Sequence, residues 1–168
     1  MLDRSTFWPA PGLTVLTGEG LAVTLLPPVP QLMVSGDLPV FCRAHGLPAP
    51  VGLLAEVTLP RHALRLARNR MLVVGDEVDH AAAGWIDGAA VTPMTGALGV
   101  VEIAGSNRMQ VFARASAIDP RGQSPSAALQ FAGVTAALCQ TADALRLHLD
   151  RGLVAYLMDW IAATGLAR

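Results

Sequence analysis

The chain has 168 residues, of which 52% are hydrophobic and 15% charged, with a formal net charge of -1 and a mean hydropathy of +0.45. A single domain of this length can bury roughly 70% of its extended-chain surface, so it needs no disulfide or metal staple to fold. The basic residues are all arginine and are scattered, which excludes electrostatic recruitment to nucleic acid, and Pro27, Pro28, Pro30, Asp37, Glu56 and Arg61 break the most apolar region well short of the roughly 18–20 residues of a membrane span.

The opening residues MLDRSTFWPAPG pair Asp3 with Arg4 and break at Pro9 and Pro11, unlike a secretory leader, so the expected location is the cytoplasm. Cys42 and Cys139 lie in apolar settings without a CxxC partner, which predicts two buried free thiols. The apolar content is high for a soluble domain and predicts that some apolar surface is covered by a partner.

Residues 13–17 and 21–26 flank Gly18-Glu19-Gly20 and read as a hairpin, stopped by Pro27-Pro28-Val29-Pro30. A strand over 31–35 ends at Gly36, and Asp37 is placed to cap a helix from Leu38 to Gly46, with Val40, Phe41 and Ala44 facing inward. Residues 51–59 are apolar enough for a strand, and 63–67 with 71–74 form a hairpin around Arg68-Asn69-Arg70. A short helix is expected over 77–85, capped by Asp76, then an irregular stretch over 88–99. A strand over 98–104 ends at Gly105 and leads into a helix over 107–116, where Asn107 and Gln110 have the spacing of a capping box. A loop over 119–126 precedes a hairpin of 127–131 with 134–140. Leu145, Leu147 and Leu149 alternate with Arg146, His148 and Asp150, the pattern of a strand with one face in water. The last helix spans 151–164, capped by Asp150 and closed by Gly165, with Leu153, Leu157, Trp160 and Ile161 on its inner stripe.

Two stretches repeat this grammar. Gly36 and Gly105 are 69 residues apart, VFCRA (40–44) and VFARA (111–115) are 71 apart, and Trp85 precedes Trp160 by 75. The fold class expected is α+β, one domain over 1–168. An arm and hairpin (1–30) precede two pseudo-repeated strand-helix-strand-strand-helix halves of ferredoxin-like type (31–90 and 97–168).

No catalytic constellation stands out. His45, His62, His80 and His148 have neither HxH nor HExxH spacing, so no metal site is expected unless the fold assembles one. Ser106 follows a strand and a glycine but lacks the GxSxG elbow and reads as a cap; Asp119 before Pro120 reads as a turn opener; Glu102 and Asp79 show no partner. The expectation is therefore no catalytic residue and no metal ligand, with cofactor-binding residues unassigned. Trp8, beside Pro9, is an interface candidate, whereas Trp160 is expected in the core.

In the stretches PPVPQLMVSGD (27–37), LPAP (47–50), MLVVG (71–75) and VEIAG (101–105) running to AID (117–119), the chain resembles the gamma subunit of heterotetrameric sarcosine oxidase over roughly residues 25–163. The resemblance implies a fold like the N-terminal folate-binding domain of the glycine-cleavage aminomethyltransferase. It also implies a non-catalytic accessory subunit of a heterotetrameric flavoenzyme complex that oxidatively demethylates an N-methyl amino acid and passes the one-carbon unit to tetrahydrofolate. FAD, FMN, NAD and tetrahydrofolate are then expected on partner subunits and none on this chain. The chain departs from the family at its short basic turn 66–71, at Thr92-Pro93-Met94-Thr95 and in the clipped loop 119–126. The alternative reading is a stand-alone folate-binding or aminomethyltransferase-like protein.

Overall fold

The computed structural model describes residues 15–75, 83–122 and 124–168. In chain order the strands and helices are β1 (Val15–Gly18), β2 (Leu21–Leu25), β3 (Gln31–Gly36), α1 (Leu38–Ala44), β4 (His62–Ala67), β5 (Arg70–Val74), β6 (Gly84–Ile86), β7 (Ala89–Pro93), β8 (Leu98–Ala104), α2 (Arg108–Ala115), β9 (Ala128–Phe131), β10 (Val134–Gln140), β11 (Ala144–Asp150) and α3 (Val154–Ala163). They build two antiparallel sheets, one ordered β1-β2-β8-β11-β10-β9 and the other β4-β5-β3-β7-β6. The fold is thus mixed α+β.

Alternation along the strands decides what each sheet covers. Leu145, Leu147 and Leu149 of β11, with Val101 and Ile103 of β8, pack against Val111 and Phe112 of α2 and Val154, Leu157 and Ile161 of α3. On the other sheet Leu32, Val34, Met71 and Val73 pack under Leu38, Phe41 and Cys42 of α1. The opposite faces meet each other, where Leu64, Leu72 and Val74 pack on Ala127, Ala137 and Cys139. The layers therefore run helix, sheet, sheet, helix, and each fully buried leucine contributes roughly 1.5–3 kcal/mol relative to exposure. The proline segment 27–30 carries the chain from the first sheet to the second, and residues 94–97 carry it back.

Both sheets share a local arrangement. Each has a hairpin (β1–β2 or β6–β7) paired to a strand (β8 or β3) that ends at a glycine and enters a helix (α2 or α1), with a later hairpin strand on its far side. The N–H of Asp37 donates to the Gly88 carbonyl in one hairpin turn, and that of Asn107 to the Gly20 carbonyl in the other. The glycines permit this approach: Gly36 (φ +149) and Gly105 (φ +107) lie in backbone regions that side chains avoid, and a Cβ would collide with the Gly88 or Gly20 carbonyl oxygen.

Several expectations are corrected. Residues 51–59 form no strand: Val51 bridges Leu64 of the second sheet, Leu53 bridges Ser124, and Glu56 bridges Gln140 of the first. This segment changes partner every few residues because Leu54 sits at φ +58, which breaks an extended run. The irregular stretch after 88 holds β7, turned from β6 by Asp87 (φ +46) and Gly88 (φ +78), a left-handed Asp-Gly pair suited to a tight hairpin. Of the helix expected over 77–85, residues 76–82 lie outside the described residues, and Trp85 stands on a strand. The polar side of β11 meets water only at its end, where Asp150 is exposed; the second sheet covers the rest, leaving Arg146 partly buried and His148 only 2% exposed.

The helix details also shift. Asp37 does cap α1, its Oδ1 accepting from the Val40 N–H at 3.1 Å, but Val40 is exposed and Leu38, Phe41 and Cys42 are the buried residues. Asn107 makes no side-chain cap, since its Oδ1 accepts from Gln110 Nε2 and its own amide reaches the Glu19 carbonyl. Asp150 accepts from the Gly152 N–H and begins a single 3-10 turn, after which the buried stripe is Val154, Leu157, Met158 and Ile161, one residue out of phase with Leu153.

Gly105→Ala is expected to cost more than about 2 kcal/mol in urea unfolding, because strained backbone of order 1–3 kcal/mol is joined by a backbone collision. Gly46→Ala shares a positive φ (+57) but places its Cβ in open space, so it should cost only about 1 kcal/mol. Equal losses would show that the approach of Gly20 is not what sets the cost.

Candidate functional site

The covered face of β11 gathers Gln31, His62 and His148, three of the buried polar side chains among the described residues. His62 begins β4, Cys139 lies near the end of β10, and His148 stands on β11. Cys139 is paired with Arg146, and His148 is two residues further along the same face, which makes it a diagonal neighbour. One ligand atom from each of His62, Cys139 and His148 lies within 4.8 Å of the other two. Cys139 Sγ is 3.9 Å from His62 Nε2, and the two imidazole centroids are 6.3 Å apart.

Gln31 sets the orientation of this group. Fully buried at the start of β3, it donates from Nε2 to the Leu98 carbonyl at 3.3 Å, which turns its Oε1 toward His148. That oxygen can only accept, so His148 donates from Nδ1 at 2.7 Å and keeps a lone pair on Nε2. Among the described residues His148 Nε2 is buried without a hydrogen-bond partner. Beside it Arg146 Nε donates to Glu102 Oε2 at 2.8 Å, a half-buried pair on directly opposed residues of β11 and β8.

Burial governs the ionisation of the group. It pushes His62 down to about 4, against an opposing hydrogen bond with the Pro60 backbone and with a smaller push from Arg146, and pushes His148 down to about 3, helped by His62 and then by Arg146. It also pushes the Cys139 thiol up to about 12, against a smaller opposing pull from Arg146. At neutral pH the cluster is two neutral imidazoles and a thiol, which suits it to donate lone pairs and leaves the cysteine a poor nucleophile.

The other residues singled out from sequence do not join this group. Asp119 is exposed and doubly bonded to Arg121 within its own loop. His45 stacks on Phe41 and meets Asp87 at 3.0 Å at the end of α1. Cys42 is a second buried thiol, 3.8 Å from Met71 Sδ, and burial raises its pKa. Trp160 is partly buried against the larger core, whereas Trp85 is 75% exposed on the edge strand β6. Trp8, Asp79 and His80 lie outside the described residues. Sequence reasoning missed the convergence of His62, Cys139 and His148, although a polar residue alternating with leucines in β11 was its available signal. The Glu102–Arg146 pair was likewise missed, and only the β8–β11 register reveals it.

Of the depressions in the described structure, one touches the cluster and two larger ones lie apart from it. Open grooves of about 480 and 450 Å³ lie beside Thr17, Asn107 and Arg168, and beside Leu54 and Arg121. A cavity of about 150 Å³ enters between the sheets, lined by Met33, Leu72, Ala137 and His148 among others. Among the described residues no helix is long and apolar enough to cross a membrane.

Neither a protein-family model nor a curated protein sequence matches the chain. Among solved structures it is similar to a chain of heterotetrameric sarcosine oxidase from Corynebacterium sp. U-96, solved in complex with pyrrole 2-carboxylate. The TM-score is 0.69 at 19% identity, over 87% of this chain and 84% of that one, which shows a shared fold.

Acid should expose the buried imidazoles. Each ring stays neutral in the fold but takes a proton near pH 6.5 once unfolded, so the unfolded state binds more protons below that value. Stability is therefore full above pH 7 and declines as the pH falls through 6.5 toward about 4 for His62 and about 3 for His148. The slope is at most roughly 1.4 kcal/mol per pH unit for each ring. Urea midpoints measured across this window in EDTA, which keeps adventitious ions off the rings, should fall less steeply for His148→Gln than for the parent; parallel curves would place the proton uptake elsewhere.

Proposed function

We propose that this chain is a small, gamma-type, non-catalytic subunit of a sarcosine-oxidase-like heterotetrameric flavoenzyme complex in the cytoplasm. The carrying observation is the fold shared with a chain of heterotetrameric sarcosine oxidase over most of both chains. Because the two coverages are nearly equal, the matched subunit is close to this chain in length, which favours a small subunit over a domain of a large one. The sheet arrangement, with a hairpin, strand, glycine and helix in each half, supports a duplicated unit of the aminomethyltransferase N-terminal type.

In this reading the partner chains carry FAD, FMN, NAD and tetrahydrofolate, oxidise an N-methyl amino acid and pass on its one-carbon unit. This chain supplies a docking surface. The tool for docking is the β6–β7 hairpin: β6 is an edge strand of the second sheet among the described residues, and Trp85 stands on it largely exposed. Exposed tryptophan is costly alone and is enriched among the residues that dominate interface energies. Tyr156, half-exposed on α3 with its hydroxyl on the Ala132 carbonyl, offers a second apolar contact.

Co-expression with the candidate oxidase chains tests the assignment, and a stoichiometric complex is expected on gel filtration. Trp85→Ala should leave the fold intact while weakening assembly by roughly 30-fold, the loss of an interface residue worth about 2 kcal/mol. A chain that never co-purifies with those partners, or that binds tetrahydrofolate saturably on its own, would overturn this reading.

A further inference from the structure

We infer that His62, Cys139 and His148 form a binding site for one borderline-soft divalent metal ion, with zinc the ion of choice. Two imidazole nitrogens and a thiolate sulfur are the donors such an ion prefers, and here three separate strands bring them together. The spacing is close to what the ion needs. Zn–S of about 2.3 Å and Zn–N of about 2.0–2.1 Å at tetrahedral angles put neighbouring donors roughly 3.5 Å (S···N) and 3.3 Å (N···N) apart. The observed 3.9 Å between Cys139 Sγ and His62 Nε2, and the 4.8 Å ceiling for the set, are closed by modest side-chain rotation.

Three further features favour a ligand over plain core packing. Among the described residues His148 Nε2, the lone pair that would face the ion, is buried with no partner, and a buried polar atom left unpaired costs roughly 1–3 kcal/mol, which leucine at that position would avoid. The Nδ1 proton of His148 is held by Gln31 Oε1, itself fixed by Leu98, and this is the outer hydrogen bond that metal-bound histidines usually make. The 150 Å³ cavity is lined by His148, which opens an approach to the cluster from the side of that ring.

Binding is a proton exchange: Cys139 loses its thiol proton, the sulfur forms a bond to the ion, and the proton goes to solvent. Both imidazoles are already neutral and give up nothing. The ion retains one positive charge, and Glu102, opposite Arg146 in the β8–β11 register, already balances the arginine beside the cluster.

The inference does not depend on the proposed subunit role. The purified full chain, stripped with EDTA, is titrated with zinc against a chromophoric chelator and separately with cobalt(II). One equivalent should bind with submicromolar Kd, release about one proton, raise the melting temperature, and give a near-ultraviolet thiolate-to-cobalt band. Cys139→Ala should abolish that band, Cys42→Ala should keep it, and Gln31→Leu should weaken binding about 10- to 100-fold as an outer-shell loss. Should Gln31→Leu fail to fold, the comparison of the two cysteine variants decides alone. Absence of stoichiometric binding, or a cobalt spectrum that survives Cys139→Ala, would overturn the assignment.

Discussion

The two sheets are tied by Gln31. Its backbone N–H donates to Thr95 Oγ1, its amide nitrogen to Leu98, and its amide oxygen accepts from His148 across the interlayer. A fully buried carboxamide is tolerated only when its hydrogen bonds are satisfied, so its neighbours must hold their places. The prolines before it and the crossover after β7 both converge on this point, which makes the interlayer geometry a condition for the rest of the fold.

Around that tie the chain separates two kinds of burial. Leucines, valines and phenylalanines seal each sheet to its helices, while the space between the sheets mixes aliphatic residues with His62, Cys139 and His148. The outer layers account for the high hydropathy of the sequence, and Trp85, on β6, stands at the opposite edge of the second sheet from His62 on β4. Docking and ion binding are accordingly assigned to different parts of the molecule.

Much of the fold was legible because local signals agreed with tertiary need. The Gly36 and Gly105 turns, the Asp37 and Asp150 caps and the Ala132-Gly133 hairpin each carry a strong backbone preference, and each formed where expected. The failures have a common physical origin. Residues 51–59 are as apolar as a strand but serve two sheets in turn, and pairing of that kind leaves no local trace. Alternation in β11 was read correctly, but alternation cannot say whether the polar face meets water or a second sheet. His62 and His148 are far apart in sequence, so their convergence became visible only once β4 and β11 were stacked face to face.

The β1–β2 hairpin has one more consequence. It precedes both sheets' central strands in the chain, yet its lasting neighbour is β8, where Ala22, Val23, Thr24 and Leu25 face Ala104, Ile103, Glu102 and Val101. Until β8 has been made, β2 carries an apolar strand with an open edge, which is the form of nascent chain that chaperones hold. Thr17 also exchanges two backbone hydrogen bonds with Arg168, so the segment after α3 closes over the first strand described. The two halves therefore exchange elements, because a hairpin that precedes the first half completes the sheet of the second.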